Sequence, residues 1–107
     1  MTSNVGAERV IRFTDGGPSW PGIVEKLVAM GEQPVVRMID GLPAFPDETP
    51  DAAWRELRVS LRGGMVTLRR DGDEIRCVVW GDADAALGAS WDACCRAIGE
   101  AGGERSD

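Results

Sequence analysis

The sequence predicts an α+β domain, a two-layer sandwich in the order β-α-β-β-β-β-α with a mostly antiparallel sheet and a C-terminal helix packed on it. Three observations carry that expectation. Residues 55–80 alternate polar and apolar side chains in three runs separated by the hairpin dipeptides Gly63-Gly64 and Asp71-Gly72. Residues 19–31 set apolar side chains at helical spacing between a serine and a glycine. In residues 83–101, Leu87, Trp91, Cys94 and Ile98 step by four, three and four, which makes one helical face apolar. A chain of 107 residues can bury a core without disulfide or metal staples. It divides into an N-terminal arm (1–8), a single domain (9–102) and a C-terminal tail (103–107).

The three runs form a meander with a readable register. Gly63-Gly64 and Asp71-Gly72 can each supply positive φ at both positions of a two-residue turn. Turns placed there pair Leu61 with Val66 and Ser60 with Thr67, then Leu68 with Ile75 and Val66 with Cys77. One face collects Val59, Leu61, Val66, Leu68, Ile75, Cys77 and Val79; the other collects Arg58, Ser60, Thr67, Arg69, Glu74 and Arg76. A one-residue slip would mix those sets, so the pattern constrains the pairing.

The remaining elements follow in chain order. Arg9 to Thr14 reads as a first strand, ended by Asp15-Gly16-Gly17-Pro18. Ser19 caps a helix with Pro21 in its first turn, and Ile23, Val24, Leu27, Val28 and Met30 form its apolar stripe up to Gly31. Pro34 to Ile39 is a second strand, closed by Asp40-Gly41, and the short links suggest a parallel crossover between the first two strands, with a split antiparallel arrangement as the alternative. Residues 41–53 hold Pro43, Pro46 and Pro50 and form a functional loop or a connector, with Thr49-Pro50-Asp51 able to cap one helical turn through Trp54. In the last helix Asp82 is the expected N-cap and Asp84 is favourable in the first turn, while Gly102-Gly103 ends it.

Composition excludes several functional classes. No apolar run is long enough to span a bilayer, and the polar N-terminus lacks the apolar region of a secretory signal. Three cysteines without repeating spacing do not make a disulfide framework, and these features together predict a cytoplasmic protein. Arginine supplies all but one of the cationic residues, beside abundant Ala and Gly, a bias typical of a high-GC bacterial coding sequence. A net charge of −6 opposes broad nucleic-acid binding, although residues 55–80 carry more arginines than acids. The absence of aromatics among Arg58, Arg69 and Arg76 opposes single-strand binding as well.

Catalytic signatures are missing. Without histidine, no Ser-His or Cys-His nucleophile pairing can form within one chain. No Walker loop occurs and no G-x-G-x-x-G follows the first strand; at Gly16-Gly17, Pro18 and Pro21 remove amides a phosphate cradle would use. Cys94 and Cys95 diverge by about 100° around their helix, and three thiols with no fourth ligand make a poor zinc set. Cys77 and Cys94 fall on buried faces, with Cys95 near the boundary, the ordinary place of small structural thiols. The sequence assigns no cofactor and no catalytic residue.

Two candidate sites stand out. The first is a patch of Arg62, Met65, Val78 and Trp80 on the outer face of the meander, made of residue types enriched in interface cores; the first helix could cover it instead. The second is a set of strand-end aspartates, Asp15, Asp40, Asp82 and Asp84, which would gather at one edge if their three strands ran parallel and could then hold a divalent metal through oxygen ligands. Turn and cap positions select the same residues without any function. The expected function is a small non-enzymatic cytoplasmic module that binds another protein or itself. The alternative is a divalent-metal- or small-ligand-binding protein using the aspartates. No membrane partner is expected, and nucleic acid is disfavoured.

Overall fold

In the computed structural model, which describes residues 5–13, 18–45, 48–50, 54–80 and 84–102, the alternating runs assemble into one six-stranded antiparallel sheet. The elements are β1 (Val5–Arg12), α1 (Trp20–Ala29), β2 (Val35–Ile39), β3 (Leu42–Pro43), β4 (Glu56–Leu61), β5 (Gly64–Asp71), β6 (Glu74–Trp80) and α2 (Ala85–Gly102). The order across the sheet is β1-β6-β5-β4-β2-β3. This is the expected α+β architecture, with one added two-residue strand: Asp40-Gly41 forms a tight turn, with φ of 51° and 83°, that folds β3 back on β2.

The meander forms where the sequence places it, but both turns sit one residue away from the expected dipeptides. Leu61 pairs with Gly64 and Ser60 with Met65, so the first turn is Arg62-Gly63. Leu68 pairs with Cys77 and Asp71 with Glu74, so the second is Gly72-Asp73. Each correction shifts the pairing by two residues, and an even shift leaves every side chain on its expected face. Leu57, Val59, Leu61, Val66, Leu68, Ile75, Cys77 and Val79 are accordingly all buried on one side.

β1 and β2 run in the same direction, as the expected parallel crossover requires, but they are not neighbours in the sheet. β1 lies antiparallel beside β6 and β2 antiparallel beside β4, with three strands and so about 19 Å between them. α1 therefore carries the chain from one side of the sheet to the other. The interior of the crossing is apolar because both partners for it exist: Trp20, Ile23 and Leu27 of α1 and Cys94, Ala97 and Ile98 of α2 join the buried sheet residues in one core. Val28, expected in the α1 stripe, is 58% exposed, because the buried arc of this short helix is narrower than its apolar arc.

Local signals position both helices. The Ser19 hydroxyl accepts from the Gly22 amide, and Gly31, at φ 87°, lets Glu32 N–H reach back to the Leu27 carbonyl at 3.0 Å. At α2 the cap is Asp84: its carboxylate accepts from Leu87 N–H at 2.8 Å and its carbonyl from Gly88 N–H. Asp82, the expected cap, lies outside the described residues. Small residues bring α2 close to its neighbours. A Cβ on Gly102 would lie 2.4 Å from the Phe13 ring, and Gly22 of α1 faces Ala101. Phe13 and Trp54, each 1% exposed, close the core at the element junctions.

Candidate functional site

With both helices on one face, the opposite face of the sheet is covered by neither. Strand alternation and register place Glu8, Val10 and Arg12 of β1 there, beside Glu74, Arg76, Val78 and Trp80 of β6. Met65, Thr67, Arg69 and Asp71 of β5 and Glu56, Arg58 and Ser60 of β4 extend it. Four arginines thus meet four acids, on a chain whose net charge is −6. Three cross-strand ion pairs organise them: Arg12–Glu74 at 3.0 Å, Arg69–Glu56 at 2.9 Å and Arg76–Glu8 at 3.9 Å. Each partner is substantially exposed, so each pair fixes side-chain positions more than it stabilises the fold.

Near one end of β5 and β6 the face becomes apolar. The Trp80 indole N–H donates to the Thr67 hydroxyl at 3.2 Å, which draws the ring across β5, and the Arg69 guanidinium stacks at 5.6 Å from that ring. Thr67 and Val78, a directly opposed pair on the same face, are buried at 2% and 1% exposure. Trp80 and Met65 remain 45% and 47% exposed. Of the four residues in the sequence-derived patch, the structure brings these two to the surface of one face and sets Val78 below them. Arg62 is elsewhere: it occupies the β4–β5 turn, and its guanidinium donates to the Gly31 carbonyl at the end of α1, on the helix side.

The strand-end carboxylates are placed by the topology. β6 runs opposite to β1 and β2, so the chain leaves it at the other end of the sheet, and the three-parallel-strand condition for gathering the aspartates is not met. Asp15 and Asp82 lie outside the described residues. Asp40 accepts from the amides of Arg55 at 2.7 Å and Glu56 at 3.0 Å, and these two bonds hold its carboxyl below the usual carboxylate range. Asp84 is the α2 cap. Among the described residues no three His, Cys, Asp or Glu groups are placed to hold a metal ion.

The three thiols are free and buried. Cys77 lies within hydrogen-bonding reach of Cys94 and Cys95; those bonds, with burial, push its thiol well up. The bond from Cys77, with Arg9 nearby, pulls Cys95 down against its burial. A cleft of about 320 Å³ separates the start of α1 from β2, lined by Trp20, Pro21, Val24, Pro34, Val36, Glu48 and Thr49. Among the described residues, its one titratable lining group is Glu48, whose carboxylate accepts from the Phe45 amide.

What sequence reasoning missed is the contribution of β1. Its place beside β6 brings Glu8 and Arg12 to Arg76 and Glu74, and the complementary charge order of the two segments was the available signal.

Comparison of the chain with family models, with curated proteins and with solved structures finds no match. Among the described residues no helix is long and apolar enough to cross a membrane.

Proposed function

We propose that this chain is a non-catalytic protein-interaction module whose contact surface is the uncovered sheet face around Met65 and Trp80. The observation that carries this reading is the pair of half-exposed large apolar side chains on a face neither helix covers. A tryptophan pinned by a hydrogen bond and an arginine stack is already ordered, so binding loses little side-chain entropy there. Tryptophan, arginine and methionine are the types enriched at interface centres, and the surrounding ion pairs supply a polar rim. Three free thiols suit a reducing, cytoplasmic home.

A photo-crosslinking residue in place of Met65, compared with one in place of Val28 on the exposed side of α1, tests this in extract of the producing cells. Adducts are expected from position 65 alone, suppressed by excess wild-type protein but not by excess Trp80→Asp protein. No adduct from position 65, or equal adducts from both positions, would overturn the reading.

A further inference from the structure

We propose that Cys77 and Cys95 are a redox modification site, at which a hydroperoxide converts the two thiols into a disulfide joining β6 to α2.

The fold brings three thiols from two elements to one place. Cys77 lies on the helix side of β6, and the Trp91 indole N–H donates to its carbonyl at 3.1 Å, which seats the middle of α2 on that residue. Cys94 and Cys95 follow one helical turn after Trp91 on the same side, and Cys77 is within hydrogen-bonding reach of both. All three belong to the buried core.

Geometry selects the pair. Cys94 and Cys95 are neighbours in the chain, so their Cα atoms stand about 3.8 Å apart, short of the roughly 4.4–6.8 Å that a disulfide spans. A bond within this cluster therefore has to include Cys77. Arg9 distinguishes the two helix thiols. It is paired with Cys77 across β1 and β6, which puts both side chains on the helix side, and it lies over the Trp91 ring at 4.7 Å. There its charge outweighs that of Asp92 in favouring the thiolate of Cys95, the nucleophilic form. Cys95 also keeps 3% of its surface exposed, against 0% for Cys77 and Cys94. The Arg9–Asp92 pair beside it is long, at 3.7 Å, and about half exposed, so it holds Arg9 weakly. A swing of that side chain admits a molecule as small as hydrogen peroxide.

The Cys95 thiolate attacks a peroxide oxygen; an S–O bond forms as the O–O bond breaks, leaving a sulfenic acid and a hydroxide that takes the thiol proton as water. The Cys77 sulfur then attacks the Cys95 sulfur. The S–S bond forms, the S–O bond breaks, and the departing hydroxide takes the Cys77 proton as a second water. The sulfurs give up two electrons and the peroxide accepts them. A dithiol reductant reverses the change by exchange.

The test treats reduced, folded protein with hydrogen peroxide, unfolds it, counts the surviving thiols by alkylation and maps peptides cut before Asp82 and Asp92, which separates Cys77 from the helix thiols. Free thiols are expected to fall from three to one, with a mass loss of about 2 Da that dithiothreitol restores, and the linked peptides to join Cys77 to Cys95. Cys94→Ala is expected to keep the link and Cys95→Ala to lose it. In Cys77→Ala, a 1,3-diketone is expected to trap the sulfenic acid on Cys95. Should a variant fail to fold, the wild-type peptide map decides. Three surviving thiols at a dose that fully oxidises glutathione, a link through Cys94, or a link between two chains would overturn the proposal.

Discussion

The Ser90 hydroxyl of α2 donates to the Glu32 carboxylate at the end of α1, at 3.1 Å, across 58 residues of chain. The same hydroxyl accepts from Gly63 N–H at 2.9 Å, and Glu32 also accepts from Arg62 N–H. One serine thus joins both helices to the β4–β5 turn. Ser90 is 2% exposed, so Ser90→Ala leaves the part-buried Gly63 amide and the Glu32 carboxylate each short of a partner. A loss of about 1–3 kcal/mol is expected from denaturant midpoints; no measurable loss would mean that water replaces the hydroxyl.

Gly63 is required at that turn for space. A Cβ there would lie 2.0 Å from the Ala86 carbonyl oxygen, which is helix backbone and cannot swing away. Gly63→Ala should cost about 2–3 kcal/mol by forcing α2 off the sheet. Gly72 provides the contrast: at φ 60° with nothing within 4 Å, Gly72→Ala meets only the left-handed backbone penalty of about 1 kcal/mol. Equal losses from the two variants would contradict the close approach of α2.

These contacts also explain which parts of the fold were legible. The inner and outer faces could be read because alternation survives any even shift of register, as the burial of Leu57, Val59 and Leu61 against half-buried Arg58 and Ser60 demonstrates. The turn positions could not, because a Gly-Gly pair reads as a turn whether its glycines bend the chain or admit a neighbour. Gly64, in the strand at φ 144°, tucks beneath Leu87, and Gly63 lies against Ala86. Strand order was invisible for a related reason: β1 finds β6 through pairs such as Arg12 with Glu74 and Val10 with Arg76, far apart in the chain, and no local spacing records them. Of the candidate patch, Met65 and Trp80 were legible from outward alternation. The burial of Val78 was not, because outward alternation alone assigns it to the exposed side.

Asp40 gives the fold a specific acid sensitivity. Its carboxyl is held below the ordinary value of 3.8 by the amides of Arg55 and Glu56. A depressed folded-state pKa contributes stability that is present above the unfolded value and lost as pH falls through the folded one. The stability gap between wild type and Asp40→Asn should therefore narrow as pH drops below 3.8, asparagine being able to keep the φ of 51°. A gap independent of pH down to acid unfolding would remove the carboxylate from this role.

The thiols differ in reactivity for reasons visible in their contacts. In the native protein burial should protect all three from iodoacetamide. At denaturant concentrations just below the transition, Cys95, with its lowered pKa and Arg9 nearby, should be labelled before Cys77, whose thiol is pushed up. Peptide mass spectrometry reads the order, and labelling of Cys77 first would contradict the arrangement.

The most direct test of the sheet face as a docking surface is the methyl spectrum of the four methionines of labelled protein titrated with unlabelled extract of the producing cells. Met65 lies half-exposed on the face, and Met30 packs against the core on the helix side. The Met65 methyl is expected to shift and broaden as extract is added while Met30 stays fixed, and Trp80→Asp is expected to abolish the change. A Met65 signal unchanged at every extract concentration, or a change led by Met30, would contradict a docking surface on this face.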